Sequence, residues 1–210
     1  QEARRRIHRL AYYDALTGLA NRALFGERLA AHLSADTAQG PNVALLCIDL
    51  DDFKSVNDTF GHMAGDELLR QVGARLQACA AEGFVARLGG DEFAVLGEYG
   101  MEDAAKIAER ITRAMHEPFS LNGGIVTTRA SVGVTVGRAG AMDGRALMKQ
   151  ADIALYEAKE ERAGMWRAFT RDLLRRRTER RRIENDLRQG LANGDFWLAF
   201  QPIFDIASDR

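Results

Sequence analysis

"RLGGDEFAVL", residues 87–96, sets a basic residue, two glycines and two adjacent acids ahead of an apolar run. Phe84 and Val85 lead in and Phe93 to Leu96 lead out, while Gly89-Gly90 supplies the positive φ of a tight strand connection; the stretch predicts a β-hairpin. Such a turn tolerates Asp91 and Glu92 as solvated acids. Two neighbouring carboxylates repel each other, however, and stay ionised more readily with a cation between them. A cation site requires a further ligand from elsewhere in the chain.

Working outward, "VALLCIDL", residues 43–50, is an almost unbroken apolar run and predicts a central strand buried on both faces. Residues 1–13 read as a charged incoming helix, Asn21 to Leu33 as a helix with Leu24, Leu29 and Leu33 on one side, and "ADTAQGPN" as a loop. Asp66 to Ala80 is amphipathic, with Leu68, Leu69, Val72 and Leu76 at helical spacing. A helix follows from about Glu102 to Met115, then a strand over "IVTTRASVGVTVG" and a helix from Gly144 to about Glu161. The order is helix, strand, helix, hairpin, helix, strand, helix. It predicts an α/β (α+β) sandwich, with helices on a ferredoxin-related sheet whose centre is antiparallel.

Composition narrows the function classes. The 210 residues are 46% hydrophobic and 28% charged, as in a globular domain that needs no membrane, and the net charge of −1 argues against a dedicated nucleic-acid binder. The opening residues lack the apolar core of a signal peptide, so a cytoplasmic domain is expected, with a longer parent protein free to be membrane-tethered. Cys47 and Cys79 read as buried or idle thiols, and the spaced histidines as structural or surface residues. Acids crowd "CIDLDDF" and "GGDEF", whereas residues 171–188 carry eight arginines against four acids. That charged stretch, with Leu173, Ile183, Leu187 and Leu191 as a sparse stripe and Gly194 as a stop, predicts a linker helix; "FWLAFQPIFD" reads as one strand beyond it.

The central strand delivers "DLDDFKSVND" at its carboxyl end, where α/β sheets place ligands. Alternation sends Asp49 and Asp51 to one face and Leu50 to the other. With the hairpin paired beside this strand, Asp49 converges with Asp91 and Glu92, a hard-oxygen set suited to magnesium. Two such ions activate an attacking hydroxyl and steady a leaving phosphate. Lys54 offers a point charge to phosphates, or is an ordinary exposed lysine. Asn57 and Asp66 together offer an amide and a carboxylate to a guanine edge, and each is also a common cap, Asp66 at a helix start. "GHMAGD" suggests a close backbone approach by a ligand.

"DALTGLANR" (14–22), "DLDDFKSVNDTFGHMAGDELL" (49–69), "RLGGDEFAVL" (87–96), "SVGVTV" (131–136) and "ADIALYEAK" (151–159) together resemble the GGDEF family of diguanylate cyclases. The resemblance covers about residues 12–169 and implies a palm-like domain, bounded here at 14–169. Its members condense two GTP into cyclic di-GMP and pyrophosphate, one GTP per subunit of a transient antiparallel homodimer, with two magnesium ions or manganese in their place. By this resemblance Asp49, Asp91 and the Leu50 carbonyl are metal ligands, and Glu92 completes the acidic cluster. Gly89 and Gly90 admit the phosphates, Lys54 and Lys159 hold the triphosphate, Asn57 and Asp66 read guanine, and Phe53 lines the pocket. An upstream sensory domain is the expected partner.

Two features depart from the family pattern. Its product-binding Arg-x-x-Asp site falls on Ala80 and Gly83, which implies no product inhibition there. An arginine that the family often carries for phosphate is Ala163, with Arg162 one step away, which implies weaker GTP binding. The tail, "LRQGLANGDFWLAFQPIFD", resembles the opening of an EAL domain, the cyclic di-GMP phosphodiesterase family, over only about 25 residues. Residues 170–210 are accordingly expected to be a linker helix and a truncated EAL start without hydrolase chemistry. The competing reading is a silent GTP-binding module that regulates an adjoining phosphodiesterase.

Overall fold

The structure is a computed structural model in which residues 9–34, 40–80, 82–121 and 124–200 are described. The chain divides into two compact units, Gln1–Leu173 and Leu174–Arg210. In the first, the apolar run of residues 43–50 forms β1 (Asn42–Asp51) at the centre of a five-stranded sheet. The predicted hairpin is β2 (Phe84–Gly89) and β3 (Glu92–Gly97), and β3 lies antiparallel to β1 with Asp49 opposite Glu92. On its other side β1 pairs antiparallel with β6 (Arg129–Arg138), and the short β7 (Trp166–Ala168) adds in parallel beyond it. The resulting order, β2-β3-β1-β6-β7, contains the expected ferredoxin-related antiparallel centre.

Alternation along β1 makes two cores. Leu46, Ile48 and Leu50 pack with α3 (His62–Ala80) and α4 (Met101–His116). Val43, Leu45 and Cys47 pack with α1 (Arg22–Leu33) and α5 (Gly144–Glu161). Burial of these branched side chains on both faces is the main driving force, about 1.5–3 kcal/mol for each large side chain. The sheet and α5 meet closely at Gly133, where a Cβ would fall 2.2 Å from the Ala151 carbonyl oxygen. The helix starts are locally encoded: Asn21 caps α1 by accepting from the Ala23 and Leu24 N–H groups, and Asp143 caps α5 by accepting from that of Ala146.

Several expectations shift. A short helix, α2 (Phe53–Phe60), lies in the "DFKSVND" segment, which carried no helical expectation, and α3 starts at His62 rather than at Asp66. Asp66 is therefore not an N-cap but sits inside the helix. The strand expected over residues 125–137 breaks at Thr127-Thr128: β5 (Gly124–Val126) pairs with β4 (Phe119–Leu121) in a separate ribbon, and β6 begins at Arg129. Most of the helix expected over residues 1–13 lies outside the described residues, and residues 9–12 are helical.

The charged helix, α6 (Arg171–Asn193), is present, buries only Leu173 and lies from Leu174 onward in the second unit, with the i,i+4 pairs Arg180–Glu184 and Arg182–Asp186, and Gly194 follows it at φ +76°. The strand expected after it is absent from residues 195–200, where no described strand pairs with an extended backbone; its remainder lies outside the described residues. Among the described residues no helix is long and apolar enough to cross a membrane.

Candidate functional site

The carboxyl end of β1 and the β2–β3 turn form one locus. Gly89 and Gly90 take φ +139° and +54°, backbone that L side chains rarely adopt, and among the described residues nothing but the chain neighbours of each lies within 4 Å of a Cβ built on it. The turn is thus open above both glycines. The Asp91 carbonyl accepts from the Leu50 N–H at 3.3 Å, which fixes Asp91 beside β1. Asp49 stands partly buried on the same strand, and Lys159 of α5 places its Nζ 2.6 Å from Asp49 Oδ1. Burial pushes the Asp49 carboxyl up and the Lys159 hydrogen bond and charge pull it back, but the Asp91 and Asp51 carboxylates push it up again, leaving it above the ordinary range. Asp51 accepts from Ser131 Oγ at 2.8 Å, and its Oδ2 is buried with no hydrogen-bond partner among the described residues.

These acids fit a magnesium ion of the kind that keeps most of its water and phosphate ligands. Among the described residues no set of three acidic, histidine or cysteine side chains closes into a metal cage. Magnesium at phosphate-transfer sites commonly takes only one or two carboxylates, and Asp49 with Asp91 offers that number. Asp49 is raised first by its burial and then by the neighbouring Asp91 and Asp51 charges, and among the described residues nothing donates to the Asp51 Oδ2. Glu92 behaves differently: it lies opposite Asp49 in register, yet Arg22 Nη2 holds its carboxylate at 3.2 Å, and Arg22 Nε donates to the Leu88 carbonyl at 2.9 Å.

The loop after β1 turns on Asp52, at φ 57° and ψ 24°, and no side chain caps the helix that follows. Phe53, Lys54 and Asn57 lie on that helix, Lys54 exposed and Phe53 half-buried against the core. Asn57 reaches across to α3, where a Cβ at Gly65 would fall 1.9 Å from its Oδ1 and 3.3 Å from Phe53 Cζ. The glycine of "GHMAGD" therefore makes room for the Asn57 amide rather than directly for a ligand, and it seats Asn57 next to the residue preceding Asp66. At the departing positions, Ala80 is fully buried, with its carbonyl accepting from the Gly83 N–H and the Tyr99 hydroxyl. A Cβ at Gly83 would lie 2.9 Å from Val95 Cγ1, so Val95 and Tyr99 fill the space of a side chain.

Two supporting contacts were not anticipated. Arg87 donates from Nε and Nη2 to the Gly90 carbonyl, at 3.0 and 2.7 Å, and from Nη1 to Asp14 Oδ1 at 3.0 Å. The same Asp14 oxygen accepts from the Thr17 N–H and hydroxyl. Burial pushes the Asp14 carboxyl up, but these donors outweigh it and hold the group below the ordinary carboxylate range. The signal available in sequence was Asp14 three residues before Thr17, a spacing that lets an acid bond its own turn.

With this geometry in hand, likeness to known proteins becomes informative. Residues 11–165 match the family described as "Diguanylate cyclase, GGDEF domain". The chain belongs to the GGDEF family. It is 42% identical over 205 residues, 96% of this chain, to an uncharacterized signaling protein of Caulobacter vibrioides. It is 36% identical over 203 residues to the cyclic di-GMP phosphodiesterase NbdA of Pseudomonas aeruginosa, and 40% identical over 158 residues to the diguanylate cyclase TpbB of that species. The chain spans 25% and 26% of the length of the first two and 36% of the third. The solved GGDEF domain of Pseudomonas aeruginosa TpbB superposes with a TM-score of 0.72 at 38% identity, covering 78% of this chain and 98% of that one. The coiled coil and GGDEF domain of DgcB from Caulobacter crescentus, solved with c-di-GMP, gives 0.70 at 30% identity, covering 80% and 90%. The palm-like α/β architecture is thus that of the family, and the domain belongs to cyclic di-GMP signalling.

Proposed function

We propose that residues 14–169 form an active diguanylate cyclase domain. The observation that carries this reading is the convergence of Asp49 and Asp91, tied by the Leu50–Asp91 backbone contact, beneath an unobstructed glycine turn. Asp49, Asp91 and the Leu50 carbonyl would hold the metal, and Glu92 would have to leave Arg22 to join them. Magnesium, when bound, lowers the pKa of the attacking hydroxyl and neutralises charge on the departing phosphates. Gly89 and Gly90 let the triphosphate approach the backbone, Lys54 and Lys159 supply positive charge to it, Phe53 lines the pocket, and Asn57 with Asp66 reads guanine. Lys159 exchanges its Asp49 contact for phosphate when substrate arrives.

In the reaction the 3′-hydroxyl oxygen of one GTP attacks the α-phosphorus of another. The bond to pyrophosphate breaks and the hydroxyl proton leaves to solvent; the reciprocal step closes cyclic di-GMP. Each domain holds one GTP, so turnover requires a transient homodimer. Residues 170–210 are a linker helix and the start of an EAL domain, and the domain works in the cytoplasm between an upstream sensor and that EAL partner. With Ala80 and Gly83 in place of an arginine and an aspartate, product does not inhibit through that site.

A second reading, a silent GTP-binding module that tunes an adjoining phosphodiesterase, draws support from the likeness to NbdA across 96% of the chain. Incubation with GTP and magnesium separates the two. Cyclic di-GMP and pyrophosphate in two-to-one excess of pyrophosphate support the cyclase; GTP binding without product at dimer-forming concentrations rejects it.

A further inference from the structure

Gly61 and Gly65 flank the start of α3, and different constraints hold them. Gly61 has φ +82° and open space around a Cβ built on it, so its backbone angle is what demands glycine. Gly65 lies inside α3 with helical backbone, where alanine is the better helix former. What a side chain lacks there is room. A Cβ would fall 1.9 Å from Asn57 Oδ1, 2.9 Å from Asn57 Cγ and 3.3 Å from Phe53 Cζ. The aromatic ring need move only a few tenths of an ångström, whereas the amide would have to leave its place.

Asn57 has no other polar anchor. Neither Asn57 nor Asp66, the residue after Gly65, makes a side-chain hydrogen bond or ion pair among the described residues, although both are half-buried. An amide without polar partners takes its direction from what it packs on. Here that support is the bare backbone of α3 at Gly65 and the edge of the Phe53 ring. With Oδ1 seated against the helix, the Nδ2 donors of Asn57 are left for another molecule, and the Asp66 carboxylate stands one residue along from the seat.

We propose that Gly65 is a positioning residue for base recognition: its missing side chain fixes the Asn57 amide beside Asp66, so that the two read one guanine edge together. The inference rests on the assignment of the guanine edge to Asn57 and Asp66, and adds the residue that sets their spacing. A methyl group at position 65 turns the amide out of its seat and leaves Asp66 to recognise the base alone. Contacts to phosphate, which are built on the glycine turn, Lys54 and Lys159, are not disturbed.

Calorimetric titration of the wild type, Gly65→Ala, Asn57→Ala and the double variant, with magnesium plus either GTP or base-free inorganic tripolyphosphate, tests the assignment. Gly65→Ala should lose roughly tenfold in GTP affinity, the size of one polar contact, and match Asn57→Ala, with tripolyphosphate affinity unchanged in both. The double variant should lose no more than Asn57→Ala, because nothing then obstructs the methyl group. Should Gly65→Ala fold poorly, the double variant should regain the melting temperature of Asn57→Ala. Unchanged GTP affinity in Gly65→Ala, an equal loss for tripolyphosphate, or a full further loss on adding Gly65→Ala to Asn57→Ala overturns the inference. So does a double variant that stays unstable. Guanine binding that follows the expected pattern without cyclic di-GMP formation upholds the inference and strikes the cyclase reading alone. Cyclic di-GMP formation by Gly65→Ala with an unaltered KM for GTP does the reverse.

Discussion

Asp14 and Asp49 are both partly buried carboxylates serving the same glycine turn, and their surroundings are opposite. Asp14 accepts three hydrogen bonds on one oxygen, from the Thr17 N–H, the Thr17 hydroxyl and Arg87, and its carboxyl is held below the ordinary range. Asp49 has one lysine, itself 40% exposed, and two like charges nearby, and its carboxyl is pushed above that range. Fixed donors mark an acid that builds the fold. An acid left to a single displaceable cation is the kind that the proposed metal site would use.

The largest effect should come from the under-satisfied side. Asp91→Ala removes a proposed metal ligand without opening a cavity in the core, and loss of several kcal/mol of transition-state stabilisation amounts to about a 1,000-fold or greater fall in cyclic di-GMP formation. The melting temperature should move by a few degrees at most. Turnover near the wild-type rate in this variant would sink the metal assignment.

On the satisfied side the effect is on stability. Arg87 is 88% screened from solvent at its side chain, with 12% exposed, and links Asp14 to the Gly90 carbonyl. Arg87→Ala leaves both acceptors partly buried and should cost about 1–3 kcal/mol, read as a drop in urea midpoint at constant slope. The pH dependence follows from the lowered Asp14 carboxyl. A carboxylate whose folded pKa lies below its unfolded value, about 3.9, contributes stability that is full above that value and is lost as pH falls through the folded one. Urea midpoints from pH 6 to pH 3 should therefore decline less steeply in Asp14→Asn than in the wild type; parallel curves would deny Asp14 this role.

The same contrast explains what was legible in the sequence. The buried β1, the hairpin and the two capped helices could be read because apolar runs, paired glycines and short polar caps act locally. Residues 53–60 showed no helical signal because that helix buries only Val56. The break at Thr127-Thr128 was hidden since β-branched residues suit either side of it; tertiary pairing decides, with the Thr128 hydroxyl bonding the Asp51 carbonyl. Asp49 could be set near Asp91 only by adding to alternation the assumption that the hairpin pairs beside β1, as it does. The Asp14–Arg87 link spans 73 positions, and no local rule reaches that far.

Asp49→Asn breaks the comparison from its other end. It removes the carboxylate that Asp91 and Asp51 both repel, so in metal-free buffer the variant should melt at or slightly above the wild-type temperature, a gain of under about 1 kcal/mol after losing the half-exposed Lys159 pair. Magnesium should stabilise the wild type and leave this variant unmoved. Metal-dependent stabilisation of both equally would show that the ion binds elsewhere.

Glu92 supplies the smallest and finest test, because it sits between the two classes. Its partner Arg22 is 65% exposed and Glu92 itself 53%, so as an ion pair the contact is worth at most about 1 kcal/mol. Arg22→Ala should therefore hardly change the melting temperature. Its effect on magnesium affinity is the informative quantity. When Glu92 must leave Arg22 to reach the metal, freeing it removes a competitor and tightens binding a few-fold, the equilibrium equivalent of that weak pair. An unchanged affinity would place Glu92 with Asp14, among the acids that hold the hairpin, and leave Asp49 and Asp91 as the sole side-chain ligands.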